Sequence, residues 1–241
     1  MLIDADPQGD LTISMGYNEE EKELDITLAD LMNNAISDNE IQTNKSVLHH
    51  KENIDLIPSN LDLSTMDIVL LKALDRENIL NKCIESIKPN YDYILVDCMP
   101  SLSLLTVNAL SCADKVIIPV QAQYLAARGM GQLIKSIFKV KRNVNPKLEI
   151  EGILLTLVDK RTRLSKEVRE TIKDSYGQFI NVFETEIPFA TKTAEATKNA
   201  KSVFTYDKNG KVAKAYSNLA EEVLSFERER KRNATSKDFC R

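Results

Sequence analysis

Short apolar runs recur along the chain, and most of them do not alternate with polar residues. They fall at Leu2–Ile3, Ile54–Ile57, Tyr93–Val96, Lys115–Val120, Ile153–Val158 and Val182–Ile187. Runs of Ile, Leu and Val without alternation fit strands covered on both faces, as in a parallel sheet. Between them the apolar positions change to a spacing of three and four. Ile68, Leu71 and Leu74 lead into Ile79, Leu80, Cys83, Ile84 and Ile87. Leu125, Gly129, Leu133, Ile134, Ile137 and Phe138 form a second series, and Val168, Ile172 and Tyr176 a third. The last series is Val212, Ala213, Tyr216, Leu219, Ala220, Val223 and Phe226. Strands alternating with such helices predict βαβ units: an α/β fold with a mostly parallel sheet flanked by helices. With no internal repeat and no linker, residues 1–227 read as one domain and residues 228–241 as a charged tail.

Composition narrows the class without changing the fold. The 241 residues are 43% hydrophobic and 28% charged, ordinary for a globular protein with a buried core. No apolar run approaches the roughly 20 residues that span a bilayer, and no basic segment precedes an apolar stretch at the N-terminus. Cys83, Cys98, Cys112 and Cys240 lack metal-ligand or redox spacing and predict reduced thiols in a cytoplasmic protein. Charge is uneven. Residues 1–60 hold three Lys against 13 Asp and Glu, whereas residues 186–241 hold 12 Lys and Arg against eight acids. A basic C-terminal third is compatible with binding a phosphate backbone, and equally with a solvated charged face.

The candidate chemistry lies at strand ends, where ligands collect in open α/β sheets. Two apolar runs lead into acids: Leu2-Ile3-Asp4-Ala5-Asp6-Pro7-Gln8-Gly9 and Tyr93-Ile94-Leu95-Val96-Asp97-Cys98-Met99-Pro100-Ser101. An Asp closing a buried strand can hold the water shell of Mg²⁺, which takes oxygen ligands and keeps several waters. It can also merely cap the next helix. Two such strands in one chain favour a metal–phosphate site.

These segments resemble a known family. Asp4 to Thr12 is similar to the D-x-D-P-Q-x-N-x-T switch I segment of ParA/Soj partition ATPases. Tyr91 to Leu102 resembles their Walker B and switch II segment, with Met99 replacing one of two usual prolines. Ala113 to Tyr124 resembles the strand that follows. Ile187-Pro188 with Thr193-Ala194-Glu195-Ala196 resembles the family's I-P-R-x-x-x-x-A-E-A block. The resemblance implies a cytoplasmic, nucleoid-associated ATPase that uses ATP and Mg²⁺. As a homodimer loaded with ATP it would bind double-stranded DNA nonspecifically, and a ParB-like protein would stimulate hydrolysis and release. Carried over by position, Asp6 orients the attacking water, Asp4 and Asp97 support Mg²⁺ through its waters, and Pro188 borders the nucleotide. Lys192 falls where the family has a DNA-contacting cation. Phe189 falls where it has Arg, so Lys198, Lys201, Lys211 and Lys214 are the remaining candidates, with Arg161 and Arg163 behind them.

One motif is missing from the 241 residues. None of the seven glycines sits in G-x-x-x-x-G-K-[ST], and Gly129-Met130-Gly131 lies in a helical pattern. The expectation is a chain lacking the first strand, P-loop and first helix of the fold, through truncation or as a degenerate paralogue, and therefore weak in ATP binding. Two other classes share the fold. Membrane cycling of the MinD type needs an exposed apolar face at the C-terminus, but the residues after Phe226 are charged all round. A metabolic amide ligase needs a substrate pocket that sequence does not locate. His49-His50 reads as a loop pair pointing two ways, Cys98 as a small buried residue, and Arg128 has no physical account.

Overall fold

A computed structural model of the chain describes residues 1–17, 24–101 and 103–238. Leu102, Cys240 and the side chains of Leu125 and Arg128 lie outside the described residues. The chain forms two compact units. The first comprises 1–114, 133–148 and 197–201, the second 115–132, 149–196 and 202–241.

In the first unit the elements run β1 (Leu2–Ala5), α1 (Asp10–Ser14), α2 (Leu28–Ile36), α3 (Thr43–Ser46), β2 (Leu48–His50), β3 (Ile54–Ile57), α4 (Met66–Lys72), α5 (Ile79–Ile84), β4 (Leu95–Cys98) and α6 (Leu104–Cys112). The sheet order is β2-β3-β1-β4. β1 is parallel to both β3 and β4, and only β2 is antiparallel. The central position of β1 buries Ile3 and Ala5, which pack with Leu28, Leu31, Met32, Ile57, Leu80 and Cys83. α2 is held at its start by a capping box: the Asp30 carboxylate accepts from the Thr27 amide at 2.8 Å and from its hydroxyl at 2.9 Å.

Four local expectations are corrected here. β1 and β4 extend through their acids, so Asp4 and Asp97 lie within strands rather than after them. β4 has β1 as its one neighbour among the described strands, and Leu95 is 60% exposed rather than buried. His49 and His50 form β2, not a loop; His49 Nδ1 lies 2.6 Å from Asp55 Oδ1 on the paired strand. The Ile68–Leu71–Leu74 face is exposed, because α4 turns Met66 and Leu70 inward instead.

The second unit contains β5 (Lys115–Gln121), β6 (Glu149–Thr156), α8 (Arg163–Tyr176), α10 (Val203–Tyr206) and α11 (Lys211–Asp238), and residues of α7 (Tyr124–Asn143) and α9 (Thr191–Lys198) are divided between the two units. β5 and β6 pair in parallel. Leu154, Phe183, Ile187 and Val212 make the core, and the Phe183 and Phe226 rings sit 6.0 Å apart. The expected strand Val182–Ile187 is reduced to isolated parallel bridges, Ile153 with Val182 and Val158 with Pro188. Its middle bulges because the Glu222 carboxylate of α11 accepts from the amides of Glu184 and Thr185, at 2.9 and 3.1 Å. Those amides are satisfied without a strand partner.

Candidate active site

The parallel register of the first sheet pairs Asp4 with Asp97 directly across β1 and β4. Paired residues on neighbouring parallel strands project to the same face, about 4.8 Å apart along the hydrogen-bond direction. The two acid-tipped runs of the sequence therefore meet side by side.

Asp4 is fully buried. One oxygen, Oδ2, accepts from the Thr12 amide at 2.8 Å and the Thr12 hydroxyl at 2.7 Å; the other, Oδ1, accepts from the Asp6 amide at 3.2 Å. Burial nonetheless raises its pKa above the ordinary 3.8, against the pull of the Thr12 and Asp6 hydrogen bonds, and the Asp6 charge adds to the rise. Asp97 is exposed but also raised, first by desolvation and then by the charges of Asp4, Asp6 and Asp10. Its carboxyl does not cap α6, whose first turn is held by Ser103: the Thr106 amide donates to Ser103 Oγ at 3.3 Å. The capping alternative for Asp97 is thereby removed.

Asp6 is presented on the turn between β1 and α1. Its carboxylate accepts from the Gln8 amide at 2.9 Å, and its carbonyl accepts from the Gly9 amide at 3.0 Å and the Ser59 hydroxyl at 2.7 Å. The turn needs Gly9, whose φ of 65° is left-handed and whose Cα faces the Ser59 carbonyl. Ser59 closes a second contact by donating its amide to Thr12 Oγ1 at 3.0 Å. Sequence reasoning included Thr12 in a motif but gave it no task, and it missed Ser59. The only sequence signal for Ser59 is its place directly after the β3 run, in Ile57-Pro58-Ser59.

The result is a cluster of carboxylates where β1 and β4 end, in which the charges of Asp4, Asp6 and Asp10 all act on Asp97, with no cation paired to them among the described residues. Mg²⁺ fits such a field, but only through water. Among the described residues no three His, Cys, Asp or Glu side chains converge closely enough to hold a metal directly.

Pro188 is half-buried in the second unit, in the bridge to Val158. Lys192 is neutralised by Asp207, 3.1 Å away. Lys198, Lys201, Lys211 and Lys214 are exposed. Arg161 and Arg163 are committed to Asp159 and Glu167, at 2.8 and 2.9 Å. Among the described residues no helix is long and apolar enough to cross a membrane.

Comparison with known proteins adds three kinds of likeness. The family described as AAA domain matches residues 1–150. The sporulation initiation inhibitor protein Soj of Bacillus subtilis is 37% identical over 225 residues, covering 93% of this chain and 86% of that protein. The chromosome partitioning protein ParA of Caulobacter vibrioides is 37% identical over 238 residues, covering 97% and 85%. Among solved structures, cobyrinic acid a,c-diamide synthase from Mycobacterium smegmatis, with bound ADP and magnesium, superposes with a TM-score of 0.71 at 31% identity, covering 88% of this chain and 83% of that one.

Proposed function

The chain belongs to the ParA/Soj family of partition ATPases, and from that premise we propose that it serves as a nucleotide-gated DNA-binding switch in chromosome or plasmid partition. The observation that carries this reading is the register pairing of Asp4 with Asp97 beneath the Asp6 turn. In the proposal Asp6 orients the attacking water. Asp4 and Asp97 hold the waters around magnesium, and Pro188 borders the nucleotide. Bound Mg²⁺-ATP would supply the phosphoryl group and the positive charge that offsets its transfer. Little covalent work falls to the protein, so carboxylates fixed by Thr12, Ser59 and the sheet register suffice for positioning. Lys198, Lys201, Lys211 and Lys214 contact the phosphates of nonspecific double-stranded DNA, with Lys192 a weaker contributor because Asp207 offsets its charge. The active form is a homodimer, cytoplasmic and nucleoid-associated, and a ParB-like protein stimulates its turnover.

Two measurements test the reading. In a form of the protein that turns over ATP, Asp6→Ala abolishes hydrolysis and preserves ATP binding; unchanged turnover rejects the assignment. In this chain, millimolar Mg²⁺ raises Tm more than NaCl of equal ionic strength, and Asp97→Asn removes the difference. Equal shifts in both proteins reject the magnesium role. Since these 241 residues contain no glycine-rich phosphate loop, the chain alone is expected to bind ATP weakly. Micromolar affinity by calorimetry contradicts that part.

A second reading, an ATP-dependent amide ligase, draws on the likeness to the diamide synthase. ATP turnover that rises with an amine donor and ignores DNA would select it.

A further inference from the structure

The C-terminal half of α7 carries a basic face that none of the roles above uses. Ile134, Ile137 and Val140 are buried, so the opposite side of the helix faces solvent. There Lys135, Lys139 and Arg142 follow one another at spacings of four and three, which places them in one stripe. Lys141 flanks the stripe and Lys147 follows just beyond the helix end. Phe138, 47% exposed, sits between the lysines. Lys135, Phe138, Lys139, Lys141, Arg142 and Pro146 line an open groove of about 680 Å³.

The charges are uncompensated. Lys115, Lys160, Arg161, Arg163, Arg169, Lys173, Lys192 and Arg230 each have a carboxylate within 4 Å, at 3.7 Å or less. Among the described residues none of Lys135, Lys139, Lys141, Arg142 and Lys147 has one. Cations at a helix C-terminus gain a little from the macrodipole. That accounts for one or two of them in the last turn, not for a stripe that starts eight residues before the end.

We propose that this face of α7 is a further binding surface for the phosphate backbone of duplex DNA, made of cations other than the lysines at 198–214. From Lys135 to Arg142 the helix rises about 10 Å, a length over which duplex DNA presents roughly six charges. The cations are mainly lysines, flexible point charges suited to backbone contact without a fixed fork geometry. With a net charge of −4, the chain can attract a polyanion only where its cations are concentrated, as they are on this face. An acidic protein is the competing occupant, because Phe138 and Pro146 give the groove an apolar floor. The absence of an arginine array for bidentate carboxylate pairing disfavours it.

The test is fluorescence anisotropy of a labelled random-sequence duplex with the full chain, across 50–200 mM salt. The variant Lys135→Gln/Lys139→Gln/Arg142→Gln is compared with Lys45→Gln/Lys51→Gln/Lys72→Gln, which removes the same charge elsewhere. The α7 variant is expected to weaken binding at least tenfold at low salt and to lower the log–log salt slope by about 2 to 3, while the control keeps the slope. A second variant, Lys198→Gln/Lys201→Gln/Lys211→Gln/Lys214→Gln, keeps a salt-dependent residual carried by α7. Binding unchanged in the α7 variant but lost in the second overturns this proposal and leaves DNA binding by the C-terminal lysines standing. Polyglutamate capture abolished by the α7 changes, with duplex binding intact, overturns it in favour of an acidic protein. No duplex binding by the unsubstituted chain overturns both. A circular-dichroism melt within 2 °C of the parent, expected of exposed substitutions, establishes that a loss is not unfolding; the single variant Lys139→Gln, with a slope change of about 0.9, decides if the triple variant fails it.

Discussion

Buried carboxylates are handled in opposite ways in the two units. In the second unit Glu151, 2% exposed, is bracketed by cations: Arg230 Nη1 lies 2.7 Å from one oxygen and Lys115 Nζ 3.4 Å from the same one. Glu186, 8% exposed, is held by the guanidinium of Arg169, with Lys160 at 3.7 Å. In the first unit Asp4 is as deeply buried and receives only neutral donors, and the neighbouring Asp6 adds charge of the same sign. One arrangement is closed by its own cations. The other has no cation partner among the described residues, and the magnesium role proposed above would supply one.

The largest expected effect comes from opening the closed case. Lys115→Met with Arg230→Met leaves Glu151 buried and unpaired, which should cost about 3–5 kcal/mol in urea unfolding. Adding Glu151→Met to that pair should recover most of the loss, because a well-packed apolar replacement of a buried ion group is often neutral. No recovery would mean that the glutamate has a task beyond answering its partners. The next effect comes from weakening the neutral support of the open case. Thr12→Val removes a 2.7 Å donor to Asp4 and the acceptor of the Ser59 amide, both in buried surroundings. About 2 kcal/mol of destabilisation is expected, and a loss below half that would indicate that water replaces the hydroxyl.

Much of this contrast was legible in sequence, and the reasons for the rest are local. Asp4 and Asp97 stood out because each follows an unbroken apolar run, and backbone register then made them neighbours. Their exact place was missed: strand pairing continues as long as the neighbour's amides and carbonyls match, so β1 and β4 run through the acids. Spacing of three and four identified α4 without saying which face is inward, and Met66 and Leu70 took the core in place of Ile68 and Leu71. The 182–187 segment has strand composition, but Glu222, 37 residues or more away in sequence, takes two of its amides. The Glu151 and Glu186 pairs join residues as far as 79 positions apart, which no local pattern reveals. The helix around Ile134 and Ile137 was read from its apolar spacing, but the stripe at Lys135, Lys139 and Arg142 was not singled out, because a lysine's lack of a carboxylate partner is a property of the fold.

Smaller effects sharpen the open case. Asp97→Asn removes the charge on which Asp4, Asp6 and Asp10 act and should raise stability by a few tenths of a kcal/mol, a modest value because water screens an exposed group. The pH dependence has a definite sign. A folded-state pKa raised above 3.8 means that the folded chain keeps a proton over an interval in which the unfolded chain has released it. Ionisation of Asp97 therefore opposes folding at every pH above that interval and has no effect below 3.8. The stability gap between variant and parent should be absent in acid, open as pH rises from that value, and then stay constant. A gap that closed with rising pH would reverse the assignment.

Cys98 supplies the most delicate probe of the same field, because it adjoins Asp97 and is displaced for two separable reasons. Its thiol is pushed up to about 12, first by burial, then by the Asp97 charge, with Cys112 and Asp6 behind. Cys83 is also pushed up to about 12, but by burial and Cys112, without an aspartate. The thiolate is the reactive form, so both should resist alkylation in the folded chain at pH 8. Neutralising Asp97 lightens only the Cys98 load. Iodoacetamide labelling followed by peptide mapping, which also separates Cys240, should show Cys98 reacting about two- to threefold faster in Asp97→Asn, because the thiol is lowered once the adjacent charge is gone. Cys83 should not change. Equal acceleration at both thiols would point to a general loosening of the first unit rather than to relief of charge around Asp97, and the open carboxylate field would lose its most direct support.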